Sequence, residues 1–282
     1  MSRTLLDALA ALFPDSSRTT LRQMLQAGRV RVGGEVEKDA KRLLGVGEEI
    51  DVSRKSVQSA LPEGLMLLHE DDDVMVVLKS NGLLTVATER ERENTAQAYL
   101  NAYLKQKGGE RIHVVHRLDR ETSGVLVFAR NFEAREALKE QFAAHTVDRM
   151  YVAIVEGTLD PPHGTFRSNL IERRDLKMQS VAAHPDAKHA ITHYHTIAEH
   201  GGYSILEITL ETGRKNQIRT HLAEARHPVI GDRMYGSEVN PIGRLGLHAK
   251  LLGFDHPTTG KRLSFTAPVP KAFRDLMHLP SS

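Results

Sequence analysis

The stretch His116–Arg130, HRLDRETSGVLVFAR, places one carboxylate, Asp119, between Arg117 and Arg120 and just ahead of an apolar run. GVLVFA reads as a buried strand. Polar residues packed at its start must be paired or chemically employed, because an unpartnered buried charge is costly. A carboxylate among arginines is either an ion pair that fixes a loop or an ionised nucleophile or base. Two further clusters have a composition suited to such chemistry. Arg149–Tyr151 opens a second apolar run, and TGRKNQIRTHL, Thr212–Leu222, sets Arg214, Lys215 and Arg219 at the start of a helical pattern. Free N–H groups at a helix N-terminus favour anions, so phosphate suits that cluster. An arginine such as Arg219 can also hold a carboxylate through two hydrogen bonds. Taken singly, each cluster is also the composition of an ordinary ion pair.

The chain that must position these groups has 282 residues, 40% hydrophobic and 26% charged. That allows a sizeable core in one large domain with a small companion. It has no cysteine, which excludes disulfides, thiolate nucleophiles and Cys-based zinc sites. MSRTLLDALAALF, interrupted by Arg3 and Asp7, does not read as a secretion signal. No apolar run approaches the ~18 residues of a membrane span, so a soluble, cytoplasmic protein is expected. Net charge is only +2, but between residues 15 and 34 Arg18, Arg22, Arg29 and Arg31 face a single acid, Asp15. Clustered arginines can track a phosphate backbone or form a solvated helix face. HPDAKHAITHYH holds His184, His189, His193 and His195. Its alternation reads as a strand with His193 and His195 on one face rather than a helical metal site, so no metal is expected. HPTTGKRLS lacks the glycine spacing of a phosphate loop and reads as a hairpin turn.

Helical spacing covers residues 4–13 and 18–28, with Pro14 between them, Ser16 or Ser17 as N-cap and Gly28 as the end. Short strands follow around Val30 and Val32, a Gly33-Gly34 turn, and Ile50 and Val52. This module is complete by residue 54, and the polar stretch 55–63 reads as a linker. Beyond it the apolar strands LMLLH, VMVVL, LLTV, GVLVFA, YVAIVEG and YSILEITL alternate irregularly with helical stretches at 95–106, 131–144 and 217–225. Asn131 is the expected cap of the second. The pattern is that of an α+β domain over residues 64–282.

HRLDRETSG resembles the signature H-R-L-D-x-x-T-S-G of the RluA-type pseudouridine synthases at all seven specified positions. DDDVMVVLKSNGLLTV resembles the family's first block, RMYVAIVEG its tyrosine block, GRKNQIRTHL with GDRMYG its arginine block, and LGLHAKLLGFDHPTTGKRLSFTAPVP its closing strands. The likeness spans roughly residues 65–270. SSRTTLRQMLQAGRVRVGGEV, within residues 3–53, resembles the S4 RNA-binding domain. Two positions depart from the family pattern. Lys79-Ser80-Asn81-Gly82 stands where Lys-Pro usually precedes the glycine, and Asn216 stands in the histidine position of G-R-x-H-Q-I-R.

The resemblance implies a pseudouridine synthase fold with a mixed, largely antiparallel central sheet, preceded by a small α/β S4 domain over residues 1–54. It implies an isomerase that turns uridine within RNA into its C-glycoside, with no cofactor and no metal. By the same likeness Asp119 is the essential carboxylate, Arg219 its partner, and Tyr151 the ring on the uracil face and a candidate for removing the C5 proton. The stacked uridine must be extruded at a cost of roughly a few kcal/mol, and Arg117 is the residue expected to fill the gap. Asp119 attacks C6, attacks C1′ or deprotonates C2′; the sequence does not choose. Arg120, Arg214 and Lys215, with Arg18, Arg22, Arg29 and Arg31, are the expected RNA contacts. A monomer acting on structured RNA is expected, large-subunit ribosomal RNA first and transfer RNA second. The competing readings are a non-catalytic RNA-binding or assembly protein, and an N-glycoside hydrolase, which would typically need a second carboxylate.

Overall fold

The computed structural model describes residues 3–14, 16–26, 28–33, 35–45, 48–52 and 61–279. Asp15, Gly34 and residues 55–60 of the expected linker lie outside them. The chain divides into two compact units, residues 1–61 with 102–110 and residues 62–101 with 111–282.

In the first unit, α1 (Leu5–Leu12) and α2 (Arg18–Gln26) pack on a sheet of β1 (Val30–Val32), β2 (Glu35–Val36) and β3 (Ile50–Val52), in the order β2-β1-β3 and antiparallel throughout. Thr4 Oγ1 accepts from Asp7 N at 3.2 Å and Ser17 Oγ accepts from Thr20 N at 3.1 Å. Each helix thus has a hydroxyl satisfying one of its free amides. Leu5, Leu9, Leu21 and Leu25 are fully buried with Val30 and Val32, each leucine contributing roughly 1.5–3 kcal/mol. Of the basic residues, Arg18 pairs with Asp7 at 2.9 Å, Arg22 is exposed on α2, and Arg29 and Arg31 are half-buried.

The second unit holds an eleven-stranded sheet. Its strands are β4 (Leu65–Glu70), β5 (Val74–Lys79), β6 (His113–Val114), β7 (Ser123–Ala129), β8 (Asp148–Glu156), β9 (His163–Glu172), β10 (Met178–Val181), β11 (Lys188–His200), β12 (Tyr203–Leu210), β13 (Leu247–Asp255) and β14 (Arg262–Thr266). The order is β10-β9-β11-β12-β8-β13-β7-β5-β4, with β6 on β7 and β14 on β13. Only β7 and β13 pair in parallel among these strands, so the sheet is mixed and largely antiparallel. Helix α3 (Ala96–Gln106) precedes β6 in the chain. Helices α4 (Phe132–Ala143), α5 (Gln217–Glu224) and α6 (Lys271–Met277) supply the covering layers. Successive β8 side chains face opposite sides. Ala153 and Val155 meet Ile218 and Leu222 of α5, while Val152 and Ile154 meet Phe273 and Met277 of α6. Asn131 caps α4, its Oδ1 accepting from Ala134 N at 2.7 Å.

One expected strand is absent. LLTV, residues 83–86, is a loop touching strand geometry only at a Leu84–Thr95 bridge, because Thr85 is spent on the Asp119 loop, as described below. Conversely β9 and β10 were not foreseen, since TFRSNLI and MQSV lack an apolar alternation and β9 is half-exposed along most of its length. HPTTGKRLS forms the β13–β14 turn, with His256 N donating to Lys261 O at 2.9 Å.

Strand β7 is buried at all seven positions, and Gly124 lets it approach β13. Its φ is +129°, and a Cβ there would overlap the Ala249 carbonyl. Gly124→Ala should therefore destabilise the protein by about 2–4 kcal/mol in urea unfolding, through overpacking and a disfavoured backbone conformation. A loss below about 0.5 kcal/mol would show that β13 moves aside freely.

Candidate active site

Sheet register assembles the site. Ala249 of β13 lies opposite Gly124 of β7 on one side and Tyr151 of β8 on the other. The loop carrying Asp119, which runs into β7, is thereby set beside Tyr151. On the far edge of β8, Tyr151 pairs with Ile208 of β12, and the chain leaving β12 returns through residues 211–216 into α5. That return is pinned by Gln217, which is buried. Its Oε1 accepts from Thr212 Oγ1 at 2.8 Å and Arg214 N at 3.0 Å, while its Nε2 donates to Ile191 O and Thr192 Oγ1, both at 2.9 Å. Arg219 follows within the first turn of the helix. Asp119, Tyr151 and Arg219 line a single cavity of about 420 Å³, a size ordinary for a ligand site.

Arg219 is held on three sides. Its Nε and Nη2 donate to the two carboxylate oxygens of buried Asp232 at 2.6 and 2.7 Å. Its Nη1 donates to Asn216 Oδ1 at 3.0 Å, and its guanidinium lies over the Tyr235 ring at 4.9 Å. Burial opposes the charge, but Asp232 and then Asp119 outweigh it and hold the Arg219 pKa above its ordinary value. Nη1 reaches Asp119 Oδ2 at 3.4 Å. That is longer than a good charge-assisted hydrogen bond, so Arg219 acts on Asp119 chiefly as a fixed positive charge. Asn216, in the position where histidine is usual for the family, sits at φ +50°, a conformation asparagine tolerates better than most residues. Its amide bridges Arg219 and Tyr235, with Nδ2 donating to Tyr235 Oη at 3.1 Å.

The loop bearing Asp119 is cradled by residues 79–85. Lys79 is wholly buried and its ammonium donates to the carbonyls of Ser80, Leu83 and Arg120 at 2.9, 2.8 and 3.2 Å. Burial pushes it down to about 7, against Asp119 and Glu121, which raise it. Gly82 N donates to Arg120 O at 2.9 Å and Arg120 Nε donates to Gly82 O at 3.0 Å. Thr85 Oγ1 donates to Leu118 O at 2.7 Å. Both neighbours of Asp119 are thus tied down, with Ser80, in place of the usual proline, supplying one of the carbonyls that hold Lys79.

Other members of the motif are structural. His116 stacks on Phe142 with centroids 4.6 Å apart and accepts from Val127 N at 3.2 Å. Ser123 Oγ accepts from Arg244 Nη2 at 2.7 Å and lies 2.7 Å from Nδ1 of buried His248. Around Tyr151, burial raises the phenol above its usual value, Arg149 opposes this and Asp119 adds to it. The ring therefore enters the cavity protonated.

Of the expected RNA contacts in this unit, Arg117, Arg214 and Lys215 line the cavity. Arg117 is exposed. Arg214 is braced by an Nε bond to His189 O at 3.0 Å, and Lys215 is ion-paired with Glu172 at the cavity wall. Arg120 stands outside the lining, committed to Gly82 and 3.7 Å from Glu121. Among the described residues, Asp71, Asp73 and His256 are close enough to share an ion. However, His256 Nδ1 accepts from the amides of Thr258 and Thr259 at 3.2 Å, which leaves Nε2 as the donor facing Asp71 at 3.2 Å. A donor nitrogen is not a metal ligand. Both ring nitrogens of His193 are likewise engaged, by Thr165 Oγ1 and Glu211.

Lys79, Asp232, Tyr235, Arg244 and His248 were not singled out from the sequence. Asp232 and Tyr235 sit in GDRMYG, and a demand for an acid to pair with a buried arginine is the signal that points to Asp232.

Burial depresses His116 to about 3, with Arg149 adding to the effect, and His248 to about 4, with Arg244 adding. Below pH ~6.5 the unfolded chain takes protons on both that the folded chain refuses. Their contribution to stability is therefore complete above that pH and lost as the pH falls towards 4 and 3. Urea unfolding should show on the order of 5 kcal/mol less stability at about pH 4.5 than at 6.5, and His248→Asn should remove about half of the drop. An unchanged slope in that variant would contradict the assignment.

Residues 73–224 match the family model for RNA pseudouridylate synthase, and residues 3–50 match the S4 domain. The chain is 35% identical to ribosomal large subunit pseudouridine synthase D of Xanthomonas campestris, over 95% of this chain and 86% of that protein. It is 34% identical to an uncharacterized RNA pseudouridine synthase of Bacillus subtilis, over 95% and 91% respectively. The solved structure of human RNA pseudouridylate synthase domain containing 4 aligns with TM-score 0.65 at 25% identity, over 79% of this chain and 94% of that one. With the HRLDRETSG loop, the tyrosine strand and the arginine helix converging on one cavity, the chain belongs to the RNA pseudouridine synthase family, as an RluA-type isomerase preceded by an S4 domain.

Proposed function

We propose that the protein isomerises uridine in large-subunit ribosomal RNA, with Asp119 as the essential carboxylate and the uridine flipped into the 420 Å³ cavity. The relatives named as ribosomal large subunit synthases support the choice of RNA. The observation that carries the catalytic assignment is the clamp of Arg219 by Asp232, which aims Nη1 at Asp119 beside Tyr151. In the reaction the N1–C1′ bond breaks, the uracil turns, C5 bonds to C1′, the C5 proton leaves and N1 gains one. Nothing is oxidised, and the atoms of substrate and product are the same. Arg219 stabilises the carboxylate form that attack at C1′ or C6, or removal of the C2′ proton, requires. The other carboxylate of the cavity wall, Glu172, is paired with Lys215, which disfavours the two-carboxylate hydrolysis of a glycosidase. Tyr151 lays its ring against the uracil. Because its phenol is held protonated, it accepts the C5 proton only once it has passed its own to a neighbour or water. Arg117, exposed at the rim, takes the space the uridine vacates by stacking and by holding phosphate.

Tritium release from RNA labelled at C5 of uridine measures isomerisation, and a parallel assay for free uracil excludes hydrolysis. Unmodified large-subunit RNA should release tritium and transfer RNA should not. Asp119→Asn should lower kcat by about 10³-fold or more while the RNA is still bound, and Tyr151→Phe, which keeps the ring, by about 10²-fold. Full turnover by Asp119→Asn would sink the assignment. Arg117→Ala should weaken RNA binding by about tenfold with the fold intact. Wild-type binding and turnover in that variant would remove its role.

A further inference from the structure

The β9–β10 hairpin ends in a residue its own fold does not ask for. Arg173 N donates to Lys177 O at 2.8 Å and Leu176 N donates to Arg173 O at 3.0 Å. Residues 174–176 therefore form a three-residue loop of the kind that closes with glycine in the left-handed position. Here Leu176 takes that position, at φ +66°, and its side chain is 62% exposed. A branched residue at positive φ is a strained exception, and an apolar group held in water brings no compensating burial. A local rule broken twice at one residue marks a functional position.

Its surroundings indicate the partner. Arg173 and Arg174 are exposed, Lys177 follows, and Asp175, the one acid of the loop, is occupied by Lys177 N at 3.2 Å with Arg173 Nε 3.7 Å away. The arm beneath the tip is fixed to the active-site framework. Met178 N donates to Tyr235 Oη at 2.9 Å, Ser180 N and Oγ donate to Glu224 at 2.8 and 2.5 Å, and Glu172 at the end of β9 lines the cavity. An apolar tip among cations, carried on a rigid arm that shares its footing with the uridine cavity, suits a polyanion with unstacked bases.

We propose that Leu176 is a wedge that packs against an unstacked base of the RNA flanking the target uridine, with Arg173 and Arg174 on the adjoining phosphates. The inference rests on the reading of the cavity as a uridine site and adds a second contact to it. Apolar wedges stabilise a distorted nucleic acid by covering the exposed base faces, and a preorganised arm does so without the cost of ordering a loop.

Leu176→Gly separates this from a structural role, because glycine relieves the backbone while deleting the wedge. The probe is an unmodified large-subunit ribosomal RNA transcript labelled at C5, used both for binding across a salt series and for tritium release. Leu176→Gly should melt no lower than wild type and bind the transcript about tenfold more weakly, with the salt dependence unchanged. Arg174→Gln should lower the slope of log K against log salt by about one. Equal affinities of wild type and Leu176→Gly would overturn the wedge, even with tritium released normally. If wild type released none but Leu176→Gly still bound about tenfold more weakly, the wedge would stand and the isomerase reading for this RNA would fall. If neither protein bound the transcript, the wedge would be overturned.

Discussion

The pairing of Arg219 with Asp232 is the interaction on which the site depends. Both side chains are largely withdrawn from water, at 12% and 1% exposure. Such a pair holds only when its geometry is good, and removing one partner leaves a stranded charge. The two-pronged bond fixes the plane of the guanidinium and so decides where its remaining nitrogen points. Asn216 and the Tyr235 ring close two other sides. Tyr235 in turn holds Met178, so Asp119, the start of α5 and the β9–β10 hairpin are all referred to one cation.

A second constraint is main-chain rather than ionic. Ala249 faces both Gly124 and Tyr151, so the spacing of two neighbouring strands sets the separation of the Asp119 loop from the aromatic ring. Lys79 complements it with three carbonyls matched to the three N–H of an ammonium. A polar group buried in this way is satisfied by backbone, which is insensitive to the identity of neighbouring side chains.

The residues that the structure brings to one cavity were legible because their types are informative where they stand. A lone acid between arginines, a tyrosine opening a strand and an arginine in the first turn of a helix each demand a partner, and the ordered motif blocks named the family. The helical stretches expected at 95–106, 131–144 and 217–225 are helices at 96–106, 132–143 and 217–224, the second capped by Asn131 as its position implied. What could not be read was where long polar chains turn. Lys79 looks like a strand's exposed end but points into the core, because the acceptors that receive it come from a loop 41 residues later and from its own turn. Lys215 and Arg120 are expected as RNA contacts, and their partners Glu172 and Gly82 come from segments the sequence does not connect to them. LLTV has a strand's composition, but its threonine serves the Asp119 loop instead of a ladder.

The parallel contact between β7 and β13 joins positions more than a hundred residues apart, with β8 to β12 lying between them in the chain. Contacts of such sequence separation close late, since the loop entropy must be met before the pairing can reward it. On a growing chain, then, Asp119, Tyr151 and Arg219 all emerge before the strand that sets two of them side by side. The S4 unit, whose contacts lie mostly within the first fifty residues, has everything it needs long before that. A capacity to grip RNA thus precedes a capacity to alter it, and the order is written into the topology.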